Sequence, residues 1–91
     1  METKPTILRR ATLGDQHHPT GRTRHFRGGV LLPPPSQLQI AQFSGDSGYY
    51  LLYLDDSGNE MTDTYHDSID AALSQASWEF GITRDEWVDG R

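Results

Sequence analysis

Asp63, His66, Asp67 and Asp70 place three carboxylates and one imidazole within eight residues. Such a set can bind a divalent ion or exchange protons. The same residues stand where a helix should begin. Asp67 suits an N-cap, and Asp70, three residues on, suits the capping-box position near the positive helix end. That leaves His66 as a local pH sensor rather than a ligand. Gly45-Asp46-Ser47-Gly48 spells a short serine-nucleophile motif. The chemistry needs a buried base, a carboxylate that orients it and an oxyanion hole. Here the nearest base and acid, His66 and Asp63, fall on opposite faces of one expected strand. Asp55-Asp56-Ser57-Gly58-Asn59-Glu60 has a calcium-loop composition, but Gly58 comes fourth rather than sixth, and the flanks are strands rather than helices. His17, His18 and His25 lack the i,i+4 spacing of a helical metal site. No catalytic residue, metal site or cofactor is expected.

Binding chemistry is better represented. Residues 1–35 carry Lys4, Arg9, Arg10, Arg22, Arg24 and Arg27 against Glu2 and Asp15, a net of +4. Residues 36–91 carry Arg84 and Arg91 against eleven Asp and Glu, a net of −9. In the basic part, Arg22, Arg24, Phe26 and Arg27 combine guanidinium groups with an aromatic ring, a pairing that contacts phosphates and stacks on bases. In the acidic part, Trp78 falls on the helix face opposite the Ile69/Leu73 stripe, among small and polar residues. A large aromatic there needs a cover. Either Val30-Leu31-Leu32 or the Trp87 turn supplies it, or Trp78 anchors a partner, with Asp70, Gln75 and Glu79 around it.

The elements that must position these residues follow from pattern. Gln37 to Phe43 alternates as a strand. Tyr49 to Leu54 is apolar at both parities, so it is a central strand covered on both sides. Asp55 to Gly58 is a tight turn, and Asn59 to His66 is the third strand of a meander. Ile69, Ala72, Leu73, Ala76 and Phe80 form one helical stripe that packs on the sheet. Gly81 ends that helix, and Thr83 to Glu86 is a second capping box that opens a short turn carrying Trp87 and Val88. The expected fold is α+β: a three-stranded antiparallel meander with one C-terminal amphipathic helix on one face, four-stranded if Val30-Leu32 adds an edge strand. Thr6 to Leu13 has the composition of one more short strand. Residues 1–35 otherwise read as a basic arm containing Pro and Gly, mostly disordered, and residues 36–91 as the folded core. Pro33-Pro34-Pro35 is the spacer between them.

Composition sets outer limits. A chain of 91 residues is one domain, and with 34% hydrophobic residues its core is small. Cysteine is absent, which excludes disulfides and thiolate metal sites. No apolar run approaches the ~20 residues of a membrane span, and the first thirty residues lack the apolar stretch of a secretory signal. A cytoplasmic protein is expected.

The stretches Gly48 to Asp55, Thr62 to Ser68 and Ala71 to Ile82, ending at Glu86-Trp87, resemble small uncharacterised bacterial proteins. Some of these are similar to the immunity proteins of contact-dependent or polymorphic toxin systems. The resemblance covers roughly residues 38–88 and implies a small intracellular domain that works by binding. The combined expectation is a non-enzymatic protein-binding module, a monomer or an edge-paired dimer, whose acidic face meets a partner with a basic surface. The alternative is a nucleic-acid-binding accessory protein that uses Arg22, Arg24, Phe26 and Arg27. The arm has a second target besides polyanions, since the acidic core lies on the same tether.

Overall fold

The computed structural model describes residues 5–14, 17 and 25–90. Its strands are β1 (Thr6–Thr12), β2 (Phe26–Arg27), β3 (Val30–Leu31), β4 (Gln37–Gln42), β5 (Tyr49–Leu54), β6 (Glu60–His66) and β7 (Val88–Asp89). One helix, α1 (Ile69–Phe80), lies between β6 and a single 3₁₀ turn at Arg84–Glu86. The main sheet is antiparallel, with strand order β6-β5-β4-β1-β7. The fold is α+β, with one α-helix among the described residues on a five-stranded sheet.

The meander β4-β5-β6 forms as its alternation dictates. Asp55 closes the second turn by accepting the Ser57 and Asn59 amides at 2.9 Å each. This accounts for the acidic composition of that loop. Sheet parity then sorts the apolar residues. Leu38, Ile40, Leu51 and Tyr53 face α1, and with Ala72, Ala76, Phe80, Ile82 and Trp87 they form the main core. Ala41, Leu52 and Leu54 form a smaller cluster, packed by Ile7 and Tyr50, on the opposite face. The double-sided apolar pattern of β5 thus has a cause on each side. Removing a fully buried Leu38 or Leu51 side chain from such a core costs about 2–5 kcal/mol.

Two strands come from outside the expected meander. β1, drawn from residues assigned by pattern to the arm, pairs with β4 from Thr6↔Gln42 to Thr12↔Gln37. β7 adds to its other edge, with Arg9 opposite Asp89 and Arg10 opposite Val88. Val30–Leu31 does not join the sheet edge. It pairs with Phe26–Arg27 in a separate hairpin.

Helix α1 begins one residue later than its composition suggests. Ser68, not Asp67, is the N-cap: the Ala71 amide donates to Ser68 Oγ at 3.0 Å. A serine hydroxyl in extended backbone reaches the N3 amide as well as an aspartate does. Gly81 caps the other end in the left-handed region at φ 70°, and its N–H donates to the Ser77 carbonyl at 2.8 Å. The second capping box forms as expected between Thr83 and Glu86. No helix among the described residues is long and apolar enough to cross a membrane.

Candidate interaction surface

The buried face of α1 carries one charged residue. Glu79 is only 3% exposed. Its carboxylate lies 2.9 Å from His25 Nε2 and accepts from Gln75 Nε2 at 2.8 Å and from the Tyr53 hydroxyl. The His25 ring also packs on Tyr53, with centroids 4.6 Å apart. Burial, joined by the hydrogen bond to Glu79, pushes the Tyr53 phenol far above its ordinary range. Next to it, His66 Nε2 lies 2.7 Å from Thr64 Oγ1. Burial lowers the His66 pKa, partly offset by the charges of Glu79 and Asp67.

This corrects the expected site. Pattern puts Glu79 on the partner-binding face with Trp78, and it is instead an interior group that Tyr53 ties to the sheet, with Gln75 and His25 as its further partners. The reason is helical spacing. Gln75 and Glu79 sit one turn apart on the flank of the Ala72–Ala76 stripe, about 100° from Trp78 at the Glu79 position. Asp70 remains at the surface, where its carboxylate accepts from Arg84 Nη1 at 2.8 Å. Asp63, His66, Asp67 and Asp70 do not converge, and among the described residues no group of three His, Asp or Glu side chains is placed to hold a metal ion.

Trp78 is 43% exposed. With Leu73 and Ile82 it lines an open groove of about 730 Å³ between the second half of α1 and the following turn. Ser74 and Ser77 line it from the helix, and Thr83, Arg84 and Asp85 from the turn. Of the two expected covers, the turn that carries Trp87 flanks the groove through Thr83, Arg84 and Asp85, whereas the Trp87 ring and Val30 do not line it. Trp87 is part of the main core, and Val30 is 66% exposed.

The β2–β3 hairpin is the second exposed apolar feature. Phe26 pairs with Leu31 and Arg27 with Val30 across Gly28-Gly29. Both glycines have positive φ, 60° and 82°, as a two-residue type I′ turn requires. Phe26 is 60% and Leu31 51% exposed on one face, and Val30 is 66% exposed on the other, so neither face of the hairpin is packed away. Its root is fixed, because the Leu32 amide donates to the His25 carbonyl at 2.8 Å and the His25 ring is held by Glu79. A second histidine also meets a carboxylate. His17 Nδ1 accepts the Gly14 amide at 3.0 Å, and its Nε2 lies 2.7 Å from Glu86 Oε1. The Glu86 carboxyl is held below its ordinary value, first by the Thr83 amide and then by His17. His17 and His25 therefore meet two different carboxylates. Of the arginine–aromatic set, Arg22 and Arg24 lie outside the described residues, as does His18.

The Gly45–Gly48 loop has a structural account too. Asp46 Oδ1 accepts the Gly48 amide at 3.0 Å and the Tyr65 hydroxyl at 3.2 Å, closing the turn beneath Tyr50 and Tyr65. A Cβ at Gly48 would stand 2.0 Å from the Tyr65 ring, so Tyr65 packs over this position only because it is glycine and would have to swing aside for a larger residue. Sequence pattern pointed to Trp78. It missed the hairpin surface, whose signal was Gly-Gly between Phe26-Arg27 and Val30-Leu31. Compared with known proteins, the chain matches no family model, no curated protein and no solved structure.

Proposed function

We propose that the protein is a small non-enzymatic binding module whose docking site is the Trp78 groove. The observation that carries this reading is a tryptophan 43% exposed beside Leu73 and Ile82 in an open groove. Aromatic anchors with neighbouring apolar pockets dominate binding energy at protein interfaces. Arg84 and Asp85 give the groove itself one charge of each sign, with Asp70 paired to Arg84, while the surrounding segment has net charge −9, so the matching partner presents apolar side chains and is steered by a basic surface around them. A regulatory or immunity-like role, in which this surface occupies a partner's own functional face, belongs to the same reading.

The test is affinity capture with mass spectrometry from the cells that make the protein, using the parent chain, Trp78→Ala and Ser74→Arg. The expected outcome is a set of proteins captured by the parent and lost with both variants, while circular dichroism shows the fold intact. An unchanged set with both folded variants overturns the groove as the docking site.

A further inference from the structure

We propose that the open edge of β6 accepts an extended segment of a partner protein, with Lys or Arg at alternate positions, as an added strand of the main sheet. The site is separate from the Trp78 groove and does not depend on it. In the strand order β6-β5-β4-β1-β7 the two edges differ. The β1 side is closed by β7 and by the Gly90 amide on the Leu8 carbonyl. β6 pairs with β5 on one side, and among the described residues no strand pairs with its other side. In an antiparallel ladder alternate residues bond to one neighbour, so the N–H and C=O groups of the rest of β6 point away from the sheet. The pairing is continuous from Thr62 to His66, opposite Tyr53 to Tyr49. That segment holds no proline, and its threonines and tyrosine suit extended backbone. A register irregularity comes at its start, where Met61 is extra between Glu60 and Thr62.

Main-chain bonds give such an edge affinity, and the side chains beside it choose the partner. Asp63 and Tyr65 lie opposite Leu52 and Tyr50, which belong to the outer cluster, so they face the side of the sheet away from α1. Asp63 is exposed, and Tyr65 is 49% exposed. The Tyr65 and Tyr50 rings meet edge to face with centroids 5.0 Å apart, and the Tyr65 hydroxyl donates to Asp46. Desolvation, then the charges of Asp46 and Asp63, raise the Tyr50 phenol above its ordinary value, so both carboxylates act on this patch. The ion pairs among the described residues involve neither of them. A side chain projecting on this face from an added strand therefore meets a carboxylate beside phenol rings, a setting for an ammonium or guanidinium group. On the other face Thr62, Thr64 and His66 are half-buried, and a small polar side chain such as threonine matches them. A second copy of this chain is a poor match, because pairing β6 with β6 about its middle sets Asp63 against its own image.

Amide hydrogen exchange of the full chain, followed by NMR during titration with short synthetic peptides, tests this. The probes are an alternating Thr–Lys peptide, an alternating Thr–Glu peptide, and the Thr–Lys peptide with every backbone nitrogen methylated. The Thr–Lys peptide is expected to slow exchange of the outward amides between Thr62 and His66 by ~10-fold or more at saturation. Added salt should weaken its binding as charge attraction is screened. The methylated peptide keeps the charge but cannot donate to the ladder, and should bind ~10-fold more weakly. Asp63→Lys, at an exposed position that the fold tolerates, should reverse the preference in favour of the Thr–Glu peptide. Unchanged exchange at the β6 amides with the Thr–Lys peptide overturns the edge as a docking site. Equal binding of the methylated peptide also overturns it, since charge attraction alone would then explain the contact. An Asp63→Lys chain that still prefers the Thr–Lys peptide overturns the assignment of a basic partner to this edge.

Discussion

A carboxylate as buried as Glu79 is tolerated only when its oxygens are bonded, because desolvation of an unpaired ion costs several kcal/mol. Three donors from three segments meet that need: His25 ahead of β2, Tyr53 on β5 and Gln75 one turn earlier on α1. Glu79→Ala leaves the Tyr53 hydroxyl without its acceptor inside the core. The expected cost is about 1–3 kcal/mol, seen as a lower urea midpoint. Glu79→Gln keeps an acceptor and should lose less. An unchanged midpoint for Glu79→Ala would mean that the network contributes no net stability. The helical spacing of Gln75 and Glu79 beside Ala72 and Ala76 was visible in the sequence. What was not visible is that their partners come from residues 25 and 53, since a burial that depends on distant donors leaves no local pattern.

At the level of elements, the legible parts were those with a long, regular period: the β4-β5-β6 meander, the α1 stripe and its Gly81 stop. β1 was legible by composition as a short strand, but its place in the sheet was not, because it changes face. Ile7 packs in the cluster on the outer side of the sheet and Ala11 in the core under α1, although both are odd-numbered. The register irregularity between Ile7 and Arg9 makes the switch, and a strand with an inserted residue has no constant alternation to read. β2, β3 and β7 are too short for any period. The junction of β6 with α1, together with the 3₁₀ turn after it, also sets the acid response. His66 has a lowered pKa in the fold, so its contribution is full above its ordinary value of 6.5 and declines as the pH falls through that value, where the unfolded chain gains the proton first. Glu86 has a lowered pKa, so its contribution is full above its ordinary value of 4.5 and is lost as the pH falls through the folded value. Urea midpoints measured downward from neutral pH should therefore fall in two stages. His66→Gln should remove the first and leave the second. A single stage near the carboxylate range in the parent chain would contradict the assignment to His66.

For the molecule as a whole, the sheet is completed by residues from near both limits of the described chain. The Gly90 amide donates to the Leu8 carbonyl at 3.1 Å, and Arg10 Nε donates to the Gly90 carbonyl at 3.1 Å. A Cβ at Gly90 would stand 2.6 Å from the Ile7 carbonyl oxygen, so backbone must move to admit one. Gly90→Ala should cost about 1–3 kcal/mol, the range for overpacking a close contact. It should also speed hydrogen exchange at the residue 90 amide while leaving β5 protected. Equal loss of protection across β5 would mean that the β1–β7 pairing is not a separable part of the fold. The same pairing constrains how the protein is made. Arg10 and Gly90 are 80 residues apart, and a ribosome adding ~5–20 residues per second needs several seconds to span that distance. During that interval β1 can lie against β4 with its far edge open to any passing strand. Arg9 and Arg10, the two residues that β7 later pairs, put adjacent positive charges on that edge, a device that discourages wrong strands from adding. The arginines that break the apolar rhythm of β1 thus stand on the one edge that stays unpaired until its own closing strand emerges.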